Sequence, residues 1–405
     1  MFVVAPFGVR FRLRYVFVVF VYMVGARCRG SFRYRCVECV LWYFSRRVRT
    51  AGVMRYPRRV KIWNSPQDIP ADFGGAVVTI GIYDGVHRGH REVLVHLVRE
   101  AEKRGLPALV LTFDPHPLTV HRPEADIYLV STLEDRLNRL QAQGVDIVYV
   151  QPYSLEYSQL QASDFITEQL VGLLGARCVV VGEDARFGSG NTGDVQLLRE
   201  AGQRLGFDVC IVRDKTDDDG ERLSSTRIRQ ALAEGDVEEA ARILGRPHRI
   251  GGVVCQGEQR GRDLGFPTAN LTGDNLGEVP AHGVYSGWLV RDVPGTRATE
   301  YMPAAISIGT NPQFNATQRT VEVHVLGRSD LNLYGEYIQV DFVSRIRPMM
   351  KFSSVDELLA RMDKDLLATA DRLGVPPAGR VPQGAVTAQP QEQISGCNSA
   401  RSKAE

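Results

Sequence analysis

The stretch "AVVTIGIYDGVHRGH" (Ala76–His90) decides how this chain is read. Its first half is a continuous apolar run, the pattern of a strand buried on both faces. Val93, Leu94, Leu97, Val98 and Ala101 then recur at helical spacing until Gly105 closes the segment. Between run and helix stand Gly81, Gly85, Gly89, Asp84 and two histidines, His87 and His90. Five of the chain's eight histidines fall between His87 and His121. Glycines at such a junction let backbone amides approach a ligand, and a helix N-terminus favours an anion. His87 and His90 share the first helical turn, so both rings can face one phosphate chain. A single histidine there would read as a surface residue. The pair with Gly and Asp reads as an anion site, with metal and nucleophilic roles still open.

Outward from this stretch, strand and helix alternate to about Leu244. "PALVLTF", "VDIVYV", "RCVVVG" and "FDVCIV" are strand-like, and between them run helical patterns around "STLEDRLNRLQAQG", "SDFITEQLVGLLG" and "DVQLLREAGQRLG". Ser131 and Glu134 stand in capping-box register. The alternation implies an α/β fold, a doubly wound parallel sheet with helices on both faces. Ligands in such sheets bind at the carboxyl ends of strands, where "YDGVHRGH", "DPHP" and "GEDARFG" all fall. After about Arg246 the texture changes to β-type segments joined by Gly, Pro and Asn turns: "HRIGGVVCQGEQ", "GVYSGWLVRDV", "YMPAAISIG", "TVEVHVL" and "EYIQVDFVSRIRP". These predict a small antiparallel β-barrel. One terminal helix follows, with Ser354 and Glu357 again in capping-box register, and a Pro/Gly/Gln/Ser-rich tail over 375–405 reads as disordered.

The net charge of +2 hides an asymmetry. Residues 1–53 hold ten Arg, no Lys and one acid, Glu38, so the remainder is mildly acidic and carries no basic stripe for nucleic acid. The apolar run "YVFVVFVYMVGA" is too short to span a bilayer, which takes about 20 residues. Composition becomes that of a normal domain at Met54, so residues 1–53 read as a non-native upstream extension. Cys178, Cys210, Cys255 and Cys397 show no disulfide spacing, which suits a reducing, cytoplasmic setting.

"LSSTRIR" (Leu223–Arg229) sets three hydroxyls and two arginines after the last strand of the α/β part, where an anion could be held. Together with "GVHRGH" it resembles the signature of the nucleotidyltransferase superfamily. More closely, about Val77 to Arg372 resembles the prokaryotic bifunctional riboflavin kinase/FAD synthetase family, through "TIGIYDGVHRGH", "LTFDPHP", "VGEDARFG", "LSSTRIR", "GRDLGFPTANL", "HGVYSGW", "AAISIGTNPQF" and "VEVHVL" in that order.

The resemblance implies a cytoplasmic enzyme that phosphorylates riboflavin to FMN and then adenylylates FMN to FAD, with ATP as co-substrate and Mg²⁺ as cofactor. Residues 54–240 would be the adenylyltransferase and 241–374 the riboflavin kinase barrel. His87, His90 and Arg229 would act on the ATP phosphates, with Gly81, Gly85, Gly89, Ser225 and Thr226 around them. Asp114, Pro115, His116 and Asp184 would shape the flavin pocket. In the barrel, Gly261, Arg262 and Gly265 would form a nucleotide loop. Thr268 and Asn270, expected side by side on a turn, would hold Mg²⁺ as hard oxygen ligands. Asn311 and Phe314 would contact flavin, and Glu322, between Val321 and Val323, would take the proton from the riboflavin 5′-hydroxyl. Tyr83 stands where the family usually has Phe, Asp184 where Asn is common, and Ala185 where an aromatic is common. No nucleic acid and no stable membrane association are expected, and self-association is left open.

Overall fold

In the computed structural model, residues 59–380 are described, except 125–127, 218, 257–263, 272–275, 294–295, 297 and 311–318. The expectations for residues 1–53, Gly261, Arg262, Asn311, Phe314 and the tail from 381 therefore lie outside the described residues.

The apolar runs form a six-stranded parallel sheet in the order β1-β4-β3-β2-β5-β6. Its strands are β1 (Lys61–Trp63), β2 (Ala76–Ile80), β3 (Ala108–Asp114), β4 (Ile147–Pro152), β5 (Ala176–Gly182) and β6 (Asp208–Val212). Ala76, Val77 and Val78 are fully buried, as a strand covered on both faces requires. The chain winds one way from β2 through β3 to β4 and the other way to β5 and β6. The switch therefore lies between β2 and β5, and the histidine loop and "GEDARFG" both leave the sheet there. The short edge strand β1 carries no period of its own and is visible only through its pairing with β4.

Helices α1 (Arg88–Arg104), α2 (Pro117–His121) and α3 (Leu133–Ala142) follow β2 and β3. The pattern around "SDFITEQLVGLLG" folds as a helical turn (Ala162–Asp164) running into a π-helix (Phe165–Leu173), which period alone does not distinguish from an α-helix. Helices α4 (Val195–Leu205), α5 (Ser225–Glu234) and α6 (Val237–Leu244) complete this half. Helix α3 starts one residue later than the capping-box register implies. Its N-cap is Thr132, whose hydroxyl accepts from the Asp135 amide, because Ser131 is engaged by the histidine loop.

The second half is a closed antiparallel barrel, β10-β11-β8-β7-β12-β9. Its strands are β7 (His248–Cys255), β8 (Ala269–Leu271), β9 (Gly283–Asp292), β10 (Thr299–Thr310), β11 (Arg319–Val325) and β12 (Tyr337–Arg347). Alternate residues fill it: Met302, Ala304, Ile306 and Ile308 from β10, and Ile338, Val340 and Phe342 from β12. Helix α7 (Val355–Leu373) is capped by Ser354, which accepts from the Glu357 amide. It is fixed to the barrel by a buried pair in which Arg347 grips Asp365 at 2.7 Å. Past α7 the chain stays packed through Arg380, with Val375 and Ala378 on an apolar cluster around Phe266 and Leu366, and Arg380 paired with Asp363.

One core serves both halves from α5 onward. Ile228, Leu232, Ile243 and Leu244 pack in the same cluster as Leu271, Ile306 and Phe342 of the barrel. Cys178 and Cys210 are free thiols.

Candidate active sites in the two halves

His87 is the N-cap of α1, and its Nδ1 accepts hydrogen bonds from the amides of Gly89 (3.2 Å) and His90 (3.3 Å). This corrects the expectation that the helix N-terminus itself offers amides to an anion, because the histidine ring already occupies two of them. With Nδ1 accepting, the proton of a neutral His87 ring sits on Nε2. The His90 ring stacks on it at 3.7 Å, and Tyr83 meets His90 edge-on at 5.1 Å. Burial pulls His87 down to about 4 and His90 well below its ordinary value, and Arg222 opposes protonation of both. At neutral pH the pair is therefore a set of neutral hydrogen-bond donors.

The glycines here have local reasons. A Cβ on Gly81 would run into the Tyr83 ring at 2.9 Å, and one on Gly89 would press on the His87 ring at 3.1 Å. Gly85 has φ 75°, and its two non-glycine loop neighbours Tyr83 (φ 55°) and Val86 (φ 41°) are also left-handed. Such residues cost of order 1–3 kcal/mol each and persist only where the surroundings over-determine them. The Tyr83 hydroxyl supplies one constraint, a 2.7 Å hydrogen bond with the Thr79 hydroxyl.

Asp84 supplies more. It is 3 % exposed and accepts from the amides of Val130 and Ser131 and from Arg229 Nη2 at 2.5 Å. Arg229 also donates to the Tyr128 carbonyl at 3.1 Å, and Ser225 Oγ donates to the Asp84 carbonyl at 2.9 Å. "LSSTRIR" is thus brought against the histidine loop as expected, but Arg229 and Ser225 reach it as braces of Asp84. Thr226 is exposed beside them. Arg222, just before the motif, pairs with Asp184 and with Asp214 (3.0 Å), clipping "GEDARFG" to this loop. It was missed in the sequence because a lone arginine in an acidic turn carries no signal. Ala185 packs at the edge of the sheet core.

"DPHP" lies at the end of β3, with a cis Asp114–Pro115 bond. His116 caps α2, its Nδ1 accepting from the Leu118 amide at 3.0 Å. Burial lowers His116 to about 4, with Asp84 opposing and Arg229 and Arg136 reinforcing, so this segment and the histidine loop share one electrostatic neighbourhood. Arg136, 1 % exposed, donates to the Ile82 and Phe113 carbonyls and lies 3.7 Å from Asp114. Phe113, Tyr153 and Tyr157 cluster beside it.

In the barrel, Asn270 is not on a turn. It belongs to β8, directly opposite Glu322 of β11 in the antiparallel register. Ala269 and Leu271 point into the core while Asn270 is half-buried, and Thr268, two residues earlier, is also half-buried. Glu322 is exposed between buried Val321 and Val323. The turn before β8 is held by His324, whose Nδ1 donates to the Pro267 carbonyl at 2.8 Å while its ring packs on Phe266. Gly265, at φ 84°, opens that turn. A hydroxyl, an amide oxygen and a carboxylate thus share one edge of the barrel. Among the described residues no group of three or more His, Cys, Asp or Glu is placed to hold a metal.

Comparison with known proteins finds two families along the chain. The FAD synthetase family profile covers residues 69–227 and the riboflavin kinase profile covers 244–373. The bifunctional riboflavin kinase/FMN adenylyltransferase of Escherichia coli is 38 % identical over 301 residues, 74 % of this chain and 94 % of the relative.

The chain belongs to the bifunctional riboflavin kinase/FMN adenylyltransferase family.

The Bacillus subtilis member is 33 % identical, covering 72 % of this chain and 90 % of the relative. A solved structure titled as a macrolide-efflux protein from Streptococcus pneumoniae superposes with a TM-score of 0.68 at 30 % identity, covering 78 % of this chain and 99 % of that one. The histidine pair lies within the residues matched by the FAD synthetase profile, and Asn270 and Glu322 lie within those matched by the riboflavin kinase profile. Among the described residues, no helix is long and apolar enough to cross a membrane.

Proposed function

We propose that the two family activities divide between the two halves: residues 241–374 phosphorylate riboflavin to FMN, and residues 54–240 transfer the adenylyl group of ATP to FMN, releasing pyrophosphate. The observation that supports this division is that the histidine pair stands where helix α1 follows the parallel sheet, whereas Asn270 and Glu322 face each other on paired strands of the barrel.

In the adenylyltransferase half, an FMN phosphate oxygen attacks the α-phosphorus of ATP in line, and the bond to the bridging oxygen of pyrophosphate breaks. Such a transfer depends on positioning and on donors aimed at the developing charge. Nε2–H of His87 is one donor and the stacked His90 ring another, while Arg222 brings fixed positive charge. Arg229 and Ser225 hold Asp84, and through it the loop, in place. The flavin ring is assigned to the aromatic cluster of Phe113, Tyr153 and Tyr157 beside Asp114, Pro115 and His116, with Asp184 tied to Arg222 at the far side.

In the kinase half, Glu322 accepts the proton of the riboflavin 5′-hydroxyl as that oxygen attacks the γ-phosphorus of ATP and ADP leaves. Thr268 and Asn270 would hold Mg²⁺, which supplies charge neutralisation on the ATP phosphates when bound. His324 fixes the turn that presents Thr268. A cytoplasmic setting, where ATP is supplied, fits both steps, and neither needs nucleic acid.

The test is a time course of purified protein with riboflavin, ATP and Mg²⁺, with the flavins separated. FMN appears first and FAD follows. FAD without an FMN phase, or FMN alone even with excess ATP, would contradict the assignment.

A further inference from the structure

We infer that Arg246, in the segment joining α6 to the first barrel strand, is a positioning residue for adenylyl transfer, gripping the histidine loop from the kinase side of the chain. The inference rests on the assignment of adenylyl transfer to the His87–His90 site.

Three successive carbonyls of the loop turn away from the sheet, and each meets a donor from the far end of the α/β half. The Asp84 carbonyl takes Ser225 Oγ at 2.9 Å. The Gly85 carbonyl takes Arg246 Nη2 at 2.6 Å, and the Val86 carbonyl faces Arg246 Nη1 at 3.5 Å. These are the carbonyls of the stretch whose left-handed residues immediately precede His87. Val86 is β-branched, so φ 41° is a conformation it does not keep unaided. A guanidinium presents its donors as a rigid, planar fork already set for two adjacent carbonyls, whereas an ammonium on a flexible stem has no such fixed arrangement.

The reciprocal contacts run along α1. Arg91 donates to the Leu244 carbonyl at 3.0 Å and Arg88 to the Arg242 carbonyl at 3.4 Å, both at the carboxyl end of α6, where cations are favoured. Gly245 caps that helix at φ 68°, and a Cβ there would collide with both the Arg91 and Arg88 side chains. Gly245 and Arg246 therefore form a knot through which the barrel's entry segment grips both ends of the loop–helix junction. The guanidinium is held despite its surroundings: burial, with Arg139 reinforcing and Asp135 opposing, pulls Arg246 down to about 9. The side-chain partners that Arg246 has among the described residues are the Gly85, Val86 and Leu244 carbonyls, none of them on a barrel strand, so its removal is expected to bear on adenylyl transfer rather than on riboflavin phosphorylation.

The test uses the full chain with Arg246→Met and Arg246→Lys. FAD formation from supplied FMN and ATP is measured for kcat and KM, with riboflavin phosphorylation on the same preparations as the control. A small misplacement of the donors lowers the rate of the chemical step on the order of 10²-fold. R246M is expected to lose FAD-forming kcat by about that factor, with KM for ATP within about threefold and kinase activity within about twofold. R246K, with charge but no fork, is expected to fall between R246M and the parent. Amide exchange of the peptide containing Val86 to His90 should quicken in R246M while barrel peptides stay unchanged. Parent-like FAD formation by R246M, or equal loss of both activities in both variants, overturns the inference. Loss of FAD formation in His87→Ala/His90→Ala, with R246M unaffected, would refute this role alone and leave the site assignment standing.

Discussion

The two halves carry their candidate groups on different kinds of scaffold. In the α/β half the candidate groups are held by local and distant contacts: buried His87 caps its own helix, Arg229 is paired with buried Asp84, and exposed Arg222 with Asp184. In the barrel, Glu322 is exposed and faces Asn270 across a regular ladder. A site built on a left-handed loop needs many braces, because each strained residue relaxes when its neighbours let go. A site built on paired strands inherits its geometry from the ladder and needs only a turn held in place, here by His324. The comparison teaches that the first site depends on distant packing and the second mostly on register.

The largest expected effects come from crossing the two sites. Glu322→Gln should lower riboflavin phosphorylation by roughly 10²–10⁴-fold while sparing FAD synthesis from supplied FMN. His87→Ala with His90→Ala should do the reverse, halting at FMN with adenylyl transfer reduced on the order of 10²–10³-fold. Steady-state assays of each step check this, and a double loss from either variant would erase the division.

A second change asks whether the braces matter more than the ligating groups. Asp84→Asn leaves Arg229 without its carboxylate in a nearly closed site, and should destabilise the protein by about 3 kcal/mol in denaturant unfolding. FAD formation should fall with it, and riboflavin phosphorylation should persist in the surviving folded protein. A stability unchanged from the parent would mean that the loop is not braced through this pair.

The smallest effect concerns the face that the barrel turns toward that loop. Glu278 is 7 % exposed, and burial raises it to about 7, with Arg319 and Arg229 opposing and Asp84 reinforcing. A raised carboxyl stabilises the fold fully below its ordinary value of 4.5 and loses that contribution as pH climbs through about 7. Glu278→Gln should therefore raise the Tm at pH 8 by about 2–4 °C and change it little at pH 5. Buried His87, His116 and His248, all lowered to about 4, act in the other direction, removing stability as pH falls from 6.5 toward 4. Thermal scans from pH 4 to 8 read both arms.

Much of this was legible in the residues, and the misses share a cause. The alternation from Ala76 to Leu244 and the later β-type segments foretold both sheets, since their apolar periods are those of a doubly covered strand and a barrel wall. The histidine–glycine junction was visible because it breaks a local pattern, whereas Glu322 follows the strand alternation and stood out only through the family resemblance. Asn270 was read as part of a turn because "PTAN" is too short to show a period, and only pairing with β11 makes it a strand. Ser131 was read as a helix cap, yet its hydroxyl accepts from the Gly85 amide 46 residues away, leaving Thr132 to cap. Tyr83, a departure from the usual Phe, is explained by a hydroxyl bonded to Thr79 beneath the histidine pair.

By itself the sequence determined which segments alternate, which junction carries the histidines, and which strand sets a carboxylate between valines. Those are properties of neighbours along the chain, written in periods of two and 3.6. The tertiary structure alone decided that His87 is a neutral ring with its proton on Nε2, that Arg229 answers to Asp84, and that Arg246 reaches Gly85 across 161 residues. Protonation and partnership depend on desolvation and on which distant groups packing brings within about 3 Å, and neither has a signature in local order.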